Sequence, residues 1–378
     1  MAIDFQDSTP LYIQIIKDIK KKIDNSELVL GQQLKSHKEL AQEYDVSLIT
    51  IKSALSSLID EGYLFSRVGK GTFVAKRQTS ENVTTQDSIG LVLKDLKNPF
   101  FSLITQTIEE TAYTEKYNVL LSNSSRQIKK EDAQIKNFKK LGVKGLILAS
   151  LNKEPHAPEL VRQLQKENYP YVMVSYVADE DIYYVGADHE YGGYLAAKHL
   201  ISLGHTEIGY INSPKNNLLG DVRLQGLKKG LEEANLTFKN DYLLRLGSDT
   251  YPGGFEAGYK LGDLFDQMPD KPTAFFTYND LSAIGFIRRI LELGYRVPED
   301  LSIIGFDDIE QAEYSSVPLS TVHQPIEGIG ASAINKLIDL IEGRKPEYRT
   351  ILKPKLVIRE SCGAKLQEHV PVRSTEIL

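Results

Sequence analysis

Between residues 89 and 306, short apolar runs alternate with amphipathic stretches, and this alternation narrows the possible folds more than any other feature of the chain. The runs are 89–93, 118–122, 145–149, 171–175, 183–186, 207–211, 274–277 and 301–306. Segments with helical spacing of apolar residues, such as 191–203 and 281–293, lie between them. A strand buried on both faces reads as a continuous apolar run, and the connecting helices cover the sheet. The pattern therefore specifies an α/β architecture with parallel sheets. Ligands of such sheets bind at the carboxyl ends of the strands. Residues just past the runs are thus the candidate site: Asp95, Asn98, Phe100 and Phe101; Ser122, Asn123 and on to Arg126; Ser175 and Tyr176; Tyr278, Asn279 and Asp280; Asp307 and Asp308. Aromatic faces cover the apolar side of a sugar while Asp, Asn and Arg bond its hydroxyls, so the set suits a small polar or polyhydroxylated ligand. Loops and helix caps also begin with polar residues, and Asn279 and Asp280 read equally well as caps. Asp307 and Asp308 do not form a catalytic pair, because neighbours in an extended chain point apart.

The first 76 residues follow a different plan. Thr9 is placed to cap a first helix with Pro10 at its first position, and Ile15, Ile16, Ile19 and Ile23 line one face. Lys20, Lys21 and Lys22 read as a solvated helix end. Ser36 and Glu39 form a capping box for a second helix, and Ser47 caps a third. The third helix buries Ile51, Ala54, Leu55, Leu58 and Ile59, which turns Ile49, Ser53 and Ser56 outward with Thr50 and Lys52 on the flanks. Small and hydroxyl side chains let a helix sit in the major groove, and Lys52 can meet a phosphate. Ile49 either touches a thymine methyl or packs on a neighbour. Gly62 ends the helix, and 63–68 and 72–75 read as a hairpin with Lys70 at the tip of a glycine turn. Helix, turn, helix and hairpin together make a DNA-reading winged helix.

Residues 10–76 resemble the gluconate-repressor (GntR) type of winged helix. The signatures are PLYIQI, GQQLKSHKELAQEYDVSLITIKSALSSLIDEGYL and GKGTFV. The resemblance implies that Lys38, Ser47, Thr50, Lys52, Lys70 and Gly71 lie at the DNA. Leu48 stands where the family usually carries arginine, and Lys35 and Lys38 stand where it usually has proline and arginine.

Residues 88–362 resemble the effector domain of the lac and purine repressor family, itself similar to periplasmic sugar-binding proteins. NPFF, GLIL, AAKHLISLGHTEIGYI, RLQGL, PTAFFTYNDLSAIGF, GYRVPEDLSIIGFDD, STVHQP and RES occur in order. The resemblance implies two lobes with crossing strands near Ala187 and near 316–324, and a late helix at 327–341 that returns to the first lobe. It also implies a pocket lined by Phe100, Phe101, Tyr176, Arg223, Asn279 and Asp307, with Arg223 as clamp for a carboxylate or vicinal hydroxyls. Tyr251 joins these pocket candidates. The joined layout is similar to arabinose-repressor-type regulators of Gram-positive bacteria.

The expected organisation is a winged helix at 1–76, a polar linker at 77–88, a two-lobed effector and dimerisation domain at 89–363, and a frayed tail at 364–378. At 378 residues, with 41% hydrophobic and 25% charged side chains, each domain can bury a core of its own. The net charge is −6, and residues 1–76 hold ten basic and ten acidic side chains, so DNA contact must come from a few positioned groups. One cysteine, Cys362, precludes an intrachain disulfide, and no secretory or membrane-spanning segment is evident, so a cytoplasmic location is expected. An enzyme is disfavoured, since GxSxG, phosphate-loop and GxGxxG motifs are missing and His189, His199 and His205 lack metal-ligand spacing; these histidines read as surface or capping residues. No cofactor or metal is expected. The expected function is a homodimeric, ligand-responsive transcription factor on a palindromic double-stranded operator, with a monosaccharide or derivative as effector. A nucleobase or nucleoside co-repressor is the alternative, and a solute-binding protein a remote one.

Overall fold

The computed structural model describes residues 9–67, 71–75, 87–150, 156–212, 218–246 and 254–364. Lys70 and Tyr251 lie outside the described residues. The chain forms two compact units, Met1–Thr84 and Thr85–Leu378.

The first unit contains α1 (Leu11–Asp24), α2 (His37–Glu43), α3 (Leu48–Asp60), β1 (Leu64–Arg67) and β2 (Gly71–Val74). The α2 capping box forms as the sequence requires: the Ser36 side chain accepts from the Glu39 N–H, and Glu39 reaches back to the Ser36 N–H. Ile15, Ile19, Ile51, Ala54 and Leu58 fill the core. The hairpin is antiparallel, with Arg67 opposite Gly71. Two local expectations change. Helix α1 starts one residue later, with Pro10 as its cap position and the Thr9 carbonyl accepting from Gln14 Nε2 at 2.9 Å. Its lysines are not simply solvated. Lys20 pairs with Glu61 beyond α3, and Lys22 lies 2.9 Å from the buried Asp18, which also accepts from Tyr44 Oη at 2.7 Å. These pairs tie α1 to both later helices.

The second unit contains two sheets. The chain runs through β3 (Ser88–Leu93), α4 (Pro99–Thr114), β4 (Asn118–Asn123), α5 (Ile128–Leu141), β5 (Leu146–Ala149), α6 (Glu159–Lys166), β6 (Tyr171–Met173) and β7 (Tyr184–Ala187). It continues through α7 (His189–Ser202), β8 (Ile208–Ile211), α8 (Leu218–Glu233), β9 (Leu243–Leu244), α9 (Phe255–Asp266), β10 (Ala274–Thr277), α10 (Asp280–Glu292), β11 (Ser302–Asp307), α11 (Gln311–Tyr314) and β12 (Ser320–His323). It ends with α12 (Ile326–Ile341), β13 (Arg349–Leu352) and β14 (Lys355–Val357). The first lobe is a six-stranded parallel sheet of order β4-β3-β5-β6-β7-β13. The second has the order β9-β8-β10-β11-β12-β14, parallel except for β14. Helices pack on both faces of each sheet, which is why the central strands β3, β5, β6, β7, β8, β10 and β11 are buried throughout, whereas the edge strands β4, β13 and β14 are not.

The chain passes between lobes three times: after β7 at Ala187, after β12 at Gln324-Pro325, and after β13 at Lys353-Pro354. The third passage and the short edge strands β9, β13 and β14 were not legible in the apolar pattern. They are two to four residues long, and β13 and β14 are only partly buried, so no continuous apolar run marks them.

Helices α7 and α8 cross with their backbones touching. A Cβ on Gly193 would lie 2.0 Å from the Arg223 carbonyl oxygen, and one on Gly226 would lie 1.8 Å from that of Glu190. No rotamer relieves a clash with backbone, so the helices must part. Gly226→Ala is expected to destabilise the second unit by about 1–3 kcal/mol or more. Urea unfolding of the variant should show a lower midpoint; an unchanged midpoint would mean that this crossing is not tight.

Candidate functional site

Arg223, on α8, sits at the carboxyl ends of β10 and β11, the side of the sheet where the strand-end rule places a ligand. It is 3% exposed. Its guanidinium lies 3.5 Å from the Phe306 ring centroid and 5.2 Å from that of Tyr278, and Nη1 donates to the Tyr278 carbonyl. Nη2 lies 3.7 Å from Asp307 Oδ1 and 3.4 Å from His189 Nδ1. Burial, reinforced by the charges of Arg223 and Lys94, holds His189 well below the ordinary imidazole range. The ring is therefore neutral at pH 7, with Nδ1 placed to accept the Arg223 N–H. Arg223 Nε has no hydrogen-bond partner among the described residues.

Asp307, the last residue of β11, has φ 121°, a backbone region that a side chain rarely adopts. Gln324 Nε2 donates to its Oδ1 at 2.7 Å. Burial raises its pKa, against the pull of Arg223 and Gln324. Behind it sits the fully buried Asp280, which accepts from Thr321 Oγ1 at 2.5 Å and the Ile309 N–H at 3.0 Å. Burial, followed by the Asp307 charge, pushes Asp280 up to about 7. Asp308 takes separate partners, His323 at 2.9 Å and Arg359 at 2.8 Å. Asn279 caps α10 through the Ser282 N–H at 3.0 Å, so its Oδ1 is occupied, and the capping reading of this residue describes its geometry.

On the first lobe, Arg126 Nε meets Asp95 Oδ2 at 3.0 Å, and the Lys97 N–H meets Asp95 Oδ1 at 2.9 Å. Asn123 bonds within its own turn, to the Ser125 N–H at 3.1 Å. Phe101 is part of the lobe core, whereas Phe100 is half-buried against it, edge-on at 5.3 Å. Tyr176 stands edge-on to His189 at 6.0 Å, linking the lobes. Ser175 is buried, and its Oγ lacks a partner among the described residues.

Four residues here escaped the sequence reading: Lys94, Ser150, His189 and Gln324. The first two directly follow β3 and β5, so the strand-end rule does reach them. His189 had read as a surface or capping histidine. It is instead the buried first residue of α7, and the Asp188 before it caps the helix through the Tyr191 N–H at 2.9 Å. Gln324 follows β12, a strand that the apolar pattern did not show.

The winged unit presents a second candidate surface. On α3, Ile49 is 76% exposed, Lys52, Ser53 and Ser56 are exposed, and Thr50 is half-buried. The hydroxyls of Ser47 and Thr50 lie 2.7 Å apart, and Ser47 accepts from the Thr50 N–H. Lys38 and Lys52 are exposed and make no ion pair among the described residues, whereas Lys35 is held by Glu43 at 2.9 Å. Gly71 has φ 103°, and a Cβ there would meet Gln33 Nε2 at 2.8 Å. The sequence reading passed over Arg67, at the wing, whose exposed guanidinium lies 5.4 Å from the Phe65 centroid and 5.8 Å from that of Phe73. Among the described residues no group of His, Cys, Asp and Glu could hold a metal, and no helix is long and apolar enough to cross a membrane.

A winged helix joined to a two-lobed domain with a polar, strand-end cleft defines a ligand-responsive DNA-binding regulator. Residues 11–74 match the bacterial regulatory proteins of the gntR family, and residues 197–362 match the periplasmic binding protein-like domain. The chain is 30% identical to the arabinose metabolism transcriptional repressor of Geobacillus stearothermophilus over 93% of its own length and 97% of the relative's. It is 34% identical to the HTH-type transcriptional repressor PurR of Aliivibrio salmonicida over 73% of its own length and 82% of the relative's. The structure is similar to a LacI family transcriptional regulator from Enterococcus faecium with bound ribose, at 29% identity and a TM-score of 0.63, covering 73% of this chain and 98% of that one. The chain belongs to the family of transcriptional repressors that join a gntR-type DNA-binding head to a periplasmic-binding-protein-like effector domain.

The buried carboxyls give the second unit a pH signature. An unfolded aspartate titrates near 3.8, and folded Asp280 near 7. Between those values the folded state holds the proton more tightly, so the contribution of Asp280 to stability is full below about pH 4 and falls until about pH 7. Asp307 acts in the same direction, whereas His189, kept neutral, loses stability as pH drops through its unfolded range. Comparing wild type with Asp280→Asn reads out this interacting pair of carboxyls. Urea melts should show the wild-type advantage shrinking from pH 5 to pH 8. A constant difference would contradict a raised Asp280.

Proposed function

We propose that this repressor acts as a cytoplasmic homodimer on a near-palindromic operator and that a small sugar or sugar derivative sets its DNA affinity, without turnover of that ligand. The observation that carries the ligand reading is the cleft itself. A guanidinium clamp, carboxylates and aromatic rings converge at strand ends, as binding a polyhydroxylated molecule requires. The ribose-bound relative supports it. Palindromy follows from dimer symmetry, with the two α3 helices entering major grooves ~34–36 Å apart. Lys38, Lys52, Lys70 and Arg67 anchor phosphates, and Ser47, Ile49, Thr50 and Ser53 face the bases, with Gly71 letting the wing approach. The effector acts through different affinity for two lobe arrangements, for which coupling is typically ~1–3 kcal/mol.

Two measurements test this. Removing Lys38 and Lys52 together should flatten the dependence of operator affinity on salt, by about one unit of slope for each phosphate that is no longer neutralised. An unchanged slope would place the reading surface elsewhere. A gel-shift series with pentoses, hexoses, their derivatives and nucleobases should show a sugar altering operator affinity several-fold, with Arg223→Ala abolishing that response. If nucleobases alone act, the sugar reading fails.

A further inference from the structure

The carboxyl-terminal lip of the first-lobe sheet carries a row of groups in which two residues outside the strand-end candidates, Lys94 and Ser150, join two that were among them, Ser124 and Ser175. Leu93 of β3 pairs with Asn123 of β4 and with Ala149 of β5, and Leu148 of β5 pairs with Met173 of β6. Carried one step past the last paired rung for β3–β4 and β3–β5, and two steps for β5–β6, the registers put Ser124, Lys94, Ser150 and Ser175 side by side, one from each of four adjacent strands. Two backbone bonds extend the ladder at this edge, Ser124 N–H to the Leu93 carbonyl at 2.8 Å and Val174 N–H to the Leu148 carbonyl at 2.9 Å.

All three serines are buried. Ser124 Oγ bonds to the Leu93 carbonyl at 3.3 Å, whereas Ser150 Oγ and Ser175 Oγ have no partner among the described residues. A buried hydroxyl without a partner is unfavourable, so two beside one another suit an occupant that bonds both. Next to Ser150 stands a cation. Lys94 Nζ lies 3.3 Å from the Ser150 carbonyl oxygen and 5.6 Å from the Phe101 ring centroid. No carboxylate lies within ion-pair distance of it among the described residues, whereas Arg126 and Arg223 each have one. Burial, then the nearby Arg126 charge, pulls Lys94 down to about 8, against the opposing charges of Glu131 and Asp95, neither of which lies within ion-pair distance.

The cations set the chemistry of this row. The Lys94 ammonium only donates, as does the unpartnered Arg223 Nε on the second lobe, whereas the serine hydroxyls both donate and accept. A sugar hydroxyl satisfies the serines but leaves the Lys94 ammonium without an ion-pair partner. A carboxylate or phosphate only accepts, on several oxygens, and it neutralises Lys94. The acceptors of the cleft, Asp95 and Asp307, sit on either side of this row and suit the hydroxyl-bearing remainder of a ligand.

We propose that the effector carries an anionic group, a carboxylate or a phosphate, seated on Lys94, Ser150 and Ser175. This rests on the sugar reading of the cleft and narrows it to sugar acids or sugar phosphates.

The test is calorimetric titration of the full-length protein with matched sets: D-glucose, D-glucuronate and D-glucose 6-phosphate; D-ribose and D-ribose 5-phosphate; D-arabinose and D-arabinose 5-phosphate; D-gluconate; and hypoxanthine. At least one anionic form should bind ten-fold or more tightly than its neutral parent, and the carboxylate and phosphate arms identify which anion is taken. Lys94→Gln should collapse that preference at least ten-fold, with Lys94→Arg restoring part of it. Should Lys94→Gln fail to fold, Ser150→Ala with Ser175→Ala provides the second variant. It removes only unpartnered hydroxyls, so it should melt no lower than wild type while still weakening anion binding. Neutral sugars that bind as well as or better than every anionic form would overturn the anion seat and leave the sugar reading standing. A preference that survives both variants would also overturn it. Binding of hypoxanthine alone would overturn both readings.

Discussion

The effector cleft depends on a guanidinium that has been taken out of water. Isolated, a buried arginine is strongly unfavourable, and its partner Asp307 alone does not offset this at 3.7 Å. The remainder comes from the Phe306 and Tyr278 rings, the Tyr278 carbonyl and the neutral His189. The contributors come from four elements: α8 provides the arginine, β11 the carboxylate and the Phe306 ring, α7 the imidazole, and the end of β10 the Tyr278 ring and carbonyl. The glycine crossing of α7 and α8 brings the first and third into register, since any side chain at Gly193 or Gly226 would push Arg223 off its ring. The arginine is thus both a product of the fold and a sensor of its integrity.

The same logic explains the carboxyls. Asp280 holds the turn after β11 and the β12 strand together through the Ile309 N–H and Thr321. Gly305 must be a glycine because a Cβ would lie 2.1 Å from the Asp280 oxygen. That arrangement forces Asp307 into its unusual backbone conformation and aims it at Arg223. Strain at Asp307 is sustained because the chain on both sides of it is fixed: by β11 before, and by the paired Asp308 after. Acidic residues that look interchangeable in the sequence therefore divide their work: Asp280 ties the turn after β11 to β12, Asp307 faces Arg223 and Gln324, and Asp308 tethers β12 to the last strand region.

Much of this was readable from the residue pattern, because parallel strands buried on both faces leave an unmistakable apolar trace and their ends mark the cleft. The eight runs became strands within two residues, and Asp95, Arg126, Ser175, Tyr176 and Asp307 all stand at the lips they mark. The pattern fails where a residue reaches the site from a helix. Arg223 and His189 sit in amphipathic segments whose periodicity says only which face is buried, and a buried arginine looks like a solvated one until its partners are known. The family resemblance supplied Arg223; nothing in the pattern supplied His189. Short edge strands left no trace, and with β12 unseen its follower Gln324 was unseen as well. In the winged unit the stripe on α3 was legible because burial on one face dictates exposure on the other, whereas the pairing of Lys20 and Lys22 required knowing which acids the fold brings near.

The two units place opposite demands on charge. In a chain of net charge −6, the winged unit leaves Lys38, Lys52 and Arg67 exposed while Lys20, Lys22 and Lys35 are tied to acids, as the proposed reading of DNA requires. Binding a phosphate releases counterions, so a few unpaired lysines outweigh the overall acidity at the surface where they act. The cleft works the other way, by desolvation: few charges, each placed where water cannot screen it. There a change in one charge is felt by its neighbours, as the joint effect of Lys94 and Arg223 on His189 shows. Lys94 stands on the first lobe and Arg223 on the second, so an occupant that meets both holds the lobes together. An occupant that meets only one does not. Differential affinity for the closed arrangement, the only means by which a ligand can shift such an equilibrium, thus resides in groups that one lobe alone cannot assemble.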